Sequence, residues 1–103
     1  LTVQQCKELL AADLPRYDRE MSRCIAPKVL AELPPTRHAA LLSFSYNVGT
    51  GAFCKSTLLK LLNLGRTREA CQELRRWNRA GGRVFAGLTR RREAERQLCL
   101  QGL

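Results

Sequence analysis

The apolar positions Val3, Cys6, Leu10, Leu14, Tyr17, Met21 and Cys24 recur at spacings of 3, 4, 4, 3, 4 and 3. This is one continuous stripe on a long helix, and Thr2 is a fair N-cap for it. Pro15 lies in its middle, where a proline removes a hydrogen bond and costs about 3 kcal/mol, so a kink or a break into two helices is expected there. A long helix with one narrow stripe spans between bodies or rests along one. Leu33-Pro34-Pro35-Thr36 closes the following segment and opens another helix. From Arg37 onward Ala40, Leu41, Phe44 and Val48 share a face, while Leu42 and Tyr46 fall elsewhere. A helix apolar on more than one side is central and buried.

Gly49 is the natural C-cap of that central helix. Ser56 then starts a helix through Leu58, Leu59, Leu61, Leu62 and Leu64, closed by Gly65. Thr67 is expected to cap the next one, with Ala70, Cys71, Leu74 and Trp77 inward; Glu69 in its first turn and Arg75 and Arg76 in its last agree with the helix dipole. Asn78-Arg79-Ala80-Gly81-Gly82 reads as a turn, and a last helix is expected from near Thr89 to Leu100. No alternating strand pattern of useful length appears, nor any internal repeat. The chain reads as all-α, with five or six helices and short loops.

Two places resist this simple reading. Asn47 puts an amide at the end of a buried helix, beside Gly49 and Gly51, which let a ligand come close; a polar tip of this kind suits the wall of a site. Arg90, Arg91 and Arg92 would crowd the first turn of the last helix, where the dipole disfavours cations by about 0.3–1 kcal/mol each. Either that helix starts earlier, around Val84, or the arginines are held by a carboxylate or an anionic partner.

At 103 residues the chain is one domain or part of one, and 26% charged with 45% hydrophobic residues suits an ordinary folded globule. No window approaches the ~18 apolar residues of a membrane span, and the start, Leu1, does not read as a signal peptide. The net charge of +9 is lopsided: residues 1–54 carry six basic and five acidic side chains, residues 55–103 twelve and four. That positive second half suits a polyanion, whether nucleic acid, anionic lipid or an anionic cell envelope, and equally a solvated soluble surface. Helix-turn-helix spacing, a zinc pattern and aromatic-interleaved strands are all missing, which leaves an Arg-rich nucleic-acid binder as the weakest of the readings.

Five cysteines, Cys6, Cys24, Cys54, Cys71 and Cys99, are many for a cytosolic chain. None stands at C-x-x-C spacing and His38 is the single histidine, so no usual metal set or other cofactor site is expected. Disulfides in an oxidising compartment are the better reading than buried free thiols, and an odd count leaves one thiol over. The acids Glu8, Asp13, Asp18, Glu20, Glu32, Glu69, Glu73, Glu93 and Glu95 all fall on polar helix faces or in a loop, where solvation explains them. Glycoside chemistry needs one carboxyl held protonated in an apolar setting, opposite a second carboxylate or a polarised water. By these rules the chain carries no catalytic centre of its own.

The stretch Phe44-Ser45-Tyr46-Asn47-Val48-Gly49-Thr50-Gly51-Ala52-Phe53-Cys54-Lys55-Ser56-Thr57-Leu58-Leu59 resembles the phage-type lysozymes, the endolysins of glycoside hydrolase family 24. The likeness continues in order through Ala70-Cys71-Gln72-Glu73-Leu74-Arg75-Arg76-Trp77, Ala80-Gly81-Gly82 and Gly87-Leu88-Thr89-Arg90-Arg91-Arg92-Glu93-Ala94-Glu95, and Gln5-Cys6-Lys7-Glu8-Leu9-Leu10 resembles the family's first helix after its catalytic region. The resemblance implies a two-lobed α+β enzyme that cleaves the β-1,4 bond between N-acetylmuramic acid and N-acetylglucosamine in peptidoglycan. It places residues 1–26 as an inter-lobe helix and residues 27–103 as the helical C-terminal lobe. The family's catalytic glutamate has no counterpart here, so no catalytic residue is assigned and residues 1–103 alone are expected to be inactive.

Tyr46, Asn47 and Gly49 would by the same resemblance form the far wall of the saccharide cleft, with Trp77 and Asn78 at its edge; the spacing of Trp77 from Leu74 suits a core anchor equally well. Arg91 or Arg92 would face the missing glutamate, or pair on the surface with Glu95. The resemblance implies disulfides Cys24–Cys54 and Cys71–Cys99, with Cys6 bonded to a cysteine of an absent N-terminal segment. The implied partner is bacterial peptidoglycan, with the protein a phage or prophage product acting in the periplasm or cell wall. The rival reading is a non-catalytic cell-wall-binding module or inactive descendant.

Overall fold

The computed structural model describes residues 14–103. Seven α-helices follow in order: α1 (Leu14–Ser22), α2 (Pro27–Ala31), α3 (Pro35–Val48), α4 (Thr50–Cys54), α5 (Thr57–Asn63), α6 (Thr67–Glu73) and α7 (Ala86–Leu100). A 3-10 turn at Leu74–Arg76 extends α6, and an antiparallel hairpin of β1 (Arg79–Ala80) and β2 (Arg83–Val84) precedes α7. The helical character expected from the pattern holds, with two short five-residue helices, α2 and α4, in stretches too brief to show a period.

The central position of α3 follows from its sequence. Every residue from Ala40 to Ser45 is buried, so no face of this stretch meets water. Its most extensive packing is against α7, while α5 and α6 pack on each other. Phe44, Leu41 and Leu42 from α3 meet Met21 of α1, Phe53 of α4, Leu58 and Leu62 of α5 and Leu74 in one core. Met21 and the half-buried Tyr17 and Cys24 continue the first stripe onto that core. The earlier part of the stripe, with Val3, Cys6 and Leu10, lies outside the described residues, and so does the expected break.

Local chemistry sets the element ends. Ser56 caps α5, its hydroxyl accepting from Leu59 N at 3.1 Å. Gly49, at φ 94°, ends α3, and its N–H reaches Ser45 O at 2.8 Å. Thr67 does not cap α6 as expected. Gly65 N donates to Leu62 O and Arg66 N to Leu61 O, a Schellman pair that uses both residues to close α5, so α6 begins at Thr67 with Arg66 before it.

The expected turn at 78–82 is a β-hairpin. Gly81 and Gly82 both have positive φ, 57° and 79°, as a two-residue loop of type I′ requires, and Arg79 pairs with Val84, Ala80 with Arg83. Strands of two residues are too short to show alternation, which is why the pattern concealed them. The last helix begins at Ala86, one turn before Thr89, so Arg90–Arg92 fall beyond the unfavourable first turn.

Two disulfides brace this arrangement. Cys24–Cys54 ties the chain after α1 to α4 with Cα atoms 5.5 Å apart, and Cys71–Cys99 ties α6 to α7 at 5.7 Å. Sequence separations of 30 and 28 residues correspond to loop-closure stabilisation of roughly 3–4 kcal/mol each. Cys6 lies outside the described residues. At the far end of α7, the buried Arg37 donates from Nε to Cys99 O at 2.8 Å and from Nη2 to Gln101 O at 3.1 Å, supplying donors to carbonyls that the helix end leaves unpaired.

Candidate functional site

Arg92, Glu95 and Cys99 are the buried residues of α7, at spacings of 3 and 4, so they share the face turned inward. Two of the three are charged. Arg92 and Glu95 are each 1% exposed, which corrects the expectation that every acid here is solvated. A buried carboxylate is stable only with charge and hydrogen-bond partners. Glu95 Oε2 accepts from Ser43 Oγ at 2.7 Å and from Arg91 Nε at 3.4 Å, and Glu95 Oε1 lies 2.7 Å from Arg92 Nε. The last contact is an ion pair without hydrogen-bond alignment, and Arg92 Nε and Nη1 and Glu95 Oε1 have no hydrogen-bond partner among the described residues. Burial pushes the Glu95 carboxyl up, against the pull of Arg92, Ser43 and Arg91, and burial likewise pulls the Arg92 guanidinium down.

Each arginine also reaches α3. Arg91 Nη2 donates to Ser43 O at 3.2 Å, and Arg92 Nη2 donates to Asn47 Oδ1 at 2.9 Å. A guanidinium has no acceptor, so this bond fixes which way the Asn47 amide points: Oδ1 is engaged inward and the Nδ2 donor is left for something else. Arg92 also lies 5.0 Å over the Phe44 ring, and Phe44 meets Trp77 edge-on at 5.3 Å. Asn47, Arg92, Phe44 and Trp77 therefore form one connected set. Trp77 is half-buried at the margin of the core, between the cleft edge that the resemblance implies and the core anchor that its spacing suits.

The other expected wall residues separate from this set. Tyr46 is 41% exposed and meets Tyr17 of α1 edge-on at 5.1 Å. Gly49 ends the helix just beyond Asn47. Asn78 donates to Thr89 Oγ1 at 3.1 Å and borders a cleft of about 240 Å³ with Arg75, Thr89, Arg92 and Glu93. Arg92 is thus a shared wall between that cleft and the Asn47 amide. Ser43 was not singled out in the sequence, its only signal a small polar residue inside an apolar helix; Glu95 was named there only as a surface partner of Arg91 or Arg92, and the structure buries that pairing. His38 pairs with Asp18 at 2.7 Å, nearer the start of α3, and among the described residues no group of His, Cys, Asp and Glu could hold a metal ion.

Residues 1–95 match the family described as Phage lysozyme. The chain belongs to the phage lysozyme family. It is 46% identical over 101 residues to the SAR-endolysin of Bacteriophage PS119, covering 98% of this chain and 58% of that protein. It is 36% identical over 102 residues to the endolysin of Bacillus phage B103, covering 99% of this chain and 37% of the other. Among solved structures it is similar to the muramidase domain of SpmX from Asticaccaulis excentricus, at 32% identity and TM-score 0.76 over 97% of this chain and 68% of that one. The endolysin of Escherichia coli O157:H7 phage FAHEc1 aligns with TM-score 0.77 at 25% identity, over 100% of this chain and 65% of that one. The chain thus spans 58% of the length of the PS119 protein.

Replacing Glu95 by Gln leaves two guanidiniums without their carboxylate and should cost about 3–5 kcal/mol in urea unfolding. The apolar pair Arg92→Met with Glu95→Leu should recover much of that loss; a cost under about 1 kcal/mol for E95Q would contradict the assigned role. Glu93 behaves oppositely. The hydrogen bond from Arg96 is the largest cause holding its carboxyl down from 4.5 to about 2. A depressed folded value means stability present above the unfolded pKa and lost as pH falls through the folded one. The difference in stability between the wild type and Glu93→Gln should therefore be full above pH 4.5 and vanish by about pH 2. With Glu93 42% exposed, solvent screening keeps that difference below about 1 kcal/mol.

Proposed function

We propose that this chain supplies the helical lobe of a peptidoglycan-cleaving lysozyme, and that the Asn47 end of α3 forms one wall of its saccharide cleft. Membership of the phage lysozyme family over residues 1–95 carries this reading. In it the bond cleaved is the β-1,4 link between N-acetylmuramic acid and N-acetylglucosamine, and residues 1–26 join this lobe, residues 27–103, to the one that holds the acid. The setting is bacteriolysis by a phage or prophage product acting at the cell wall, in the periplasm.

The site's polarity supports the role of Asn47. With Oδ1 held by Arg92, the amide presents its Nδ2 donor, which suits the carbonyl oxygen of an N-acetyl group or a sugar hydroxyl oxygen. Gly49 leaves open backbone beside it, where an added Cβ would meet no atom within 4 Å. Tyr46, Trp77 and Asn78 line the margins in this reading.

The carboxylates of residues 14–103 are poor candidates for the glycosidic acid. Asp18, Glu20, Glu73 and Glu93 pair with His38, Arg16, Arg76 and Arg96 in turn, and Glu32 and Glu69 are exposed to water, with no apolar setting to hold a proton. Glu95 has the raised pKa that a general acid needs, but at 1% exposure it is sealed behind Arg91 and Arg92 and cannot touch a sugar. It acts as a positioning residue. The acid itself comes, in this reading, from a further lobe, and Arg91, 19% exposed beside an already paired carboxylate, turns its surplus charge toward it.

Residues 1–103 alone should bind peptidoglycan fragments and release no new reducing ends from purified walls. Asn47→Ala should weaken binding about fivefold, the worth of one hydrogen bond of about 1 kcal/mol. Reducing-end release by the isolated chain, abolished by substituting one of its own carboxylates, would refute the reading.

A further inference from the structure

The hairpin and the start of α7 leave apolar and basic side chains in water side by side. Val84 is 57% and Phe85 46% exposed. Arg79, Arg83 and Arg90 are exposed around them. The register sets Arg79 across from Val84 and Arg83 across from Ala80, and the Phe85 N–H continues the ladder to Asn78 O at 3.0 Å. Paired residues share a face and successive ones alternate, so Arg79 stands beside Val84 on one face, and Arg83 stands with Phe85 on the other.

The nearby acids are already engaged. Glu73 pairs with Arg76, Glu93 with Arg75 and Arg96, and Glu95 with Arg91 and Arg92. Among the described residues no carboxylate lies within ion-pair distance of Arg79, Arg83 or Arg90. The patch is therefore net positive and in part apolar, and it sits in the half of the chain that carries twelve basic and four acidic residues.

We propose that residues 79–90 dock on the surface of an anionic lipid bilayer. The ribbon enters edge-on, so that Val84 on one face and Phe85 on the other both reach the boundary between headgroups and acyl chains, and Arg79, Arg83 and Arg90 meet the lipid phosphates. Charge complementarity alone would suit a nucleic acid as well; the apolar pair decides the choice. An exposed valine gains nothing from a phosphate backbone, whereas apolar area leaving water at a bilayer interface is favourable in proportion to that area. The arginines supply the electrostatic half of the affinity, about 1 kcal/mol or fivefold each near such a surface. The two-glycine tip adds no bulk, since a Cβ at Gly81 or Gly82 would meet no atom within 4 Å. This surface shares no residue with the Asn47 site, and the inference does not rest on the glycosidase reading.

The test is co-sedimentation of the 103-residue chain with vesicles of phosphatidylglycerol and phosphatidylcholine, against phosphatidylcholine alone. The chain should partition onto the anionic vesicles only. Val84→Ser with Phe85→Ser, which leaves the charge unchanged, should weaken partitioning at least tenfold. Arg79→Gln with Arg83→Gln should weaken it roughly 25-fold at low salt. Lys55→Gln with Lys60→Gln, which removes the same charge elsewhere, should have a much smaller effect. Circular dichroism of each variant confirms that it is folded. Absence of binding to the anionic vesicles overturns the proposal. So does a V84S/F85S variant that is folded and binds like the wild type, or a Lys pair as costly as the Arg pair. Displacement from the vesicles by duplex DNA, with DNA binding untouched by V84S/F85S, would assign the patch to nucleic acid instead.

Discussion

A single buried carboxylate between two helices sets the terms for this structure. Glu95 sits at the contact of α3 with α7, and the groups that satisfy it come from both helices: Ser43 from one, Arg91 and Arg92 from the other. An apolar interface tolerates sliding and rotation by small amounts at little cost. An ionic one does not, because any shift that separates the carboxylate from its partners strands a charge in a medium that solvates it poorly. The register of the two helices is therefore set by charge, while Phe44, Leu41 and the Cys71–Cys99 bond supply cohesion around it.

The same interaction connects fold to site. Arg92 serves Glu95 and also delivers Nη2 to Asn47 Oδ1, and that bond orients an amide at the rim. Two guanidiniums against one carboxylate leave a surplus positive charge, and the more exposed of the two, Arg91, carries it toward the surface. A polar cluster that looks like an expense in the core is thus the device that holds a donor and a cation in fixed positions where a ligand or another lobe could use them. Pre-organised groups of this kind avoid the cost of ordering at the moment of binding.

How much of this could be read beforehand depended on the range of each interaction. Features encoded within a few residues were legible: the Ser56 cap, the Gly49 stop, the all-round apolar character of α3. Thr67 misled because a competing local motif, the Gly65–Arg66 closure of α5, took the residue before it. The hairpin was missed because its strands are shorter than one period of their own pattern, although Gly81-Gly82 held the signal. Glu95 was misread for a deeper reason. Its spacing from Arg91 and Arg92 is the same for a solvated surface pair and for a buried one, and only the identity of the face that meets α3 distinguishes them. The Asn47 position was legible as odd, but its orienting partner is 45 residues away and belongs to tertiary structure.

The central claim is that Glu95 immobilises both arginines and, through Arg92, the Asn47 amide. Guanidinium NMR of the 103-residue chain tests it most directly. Arg91 and Arg92 should show slowed rotation and resolved Nη protons, in contrast to the exposed Arg90. In Glu95→Gln that restriction should disappear from both, and the Asn47 side-chain amide resonances should shift in the same spectrum. Fast-averaging Arg92 resonances in the wild type, indistinguishable from those of Arg90, would contradict the account.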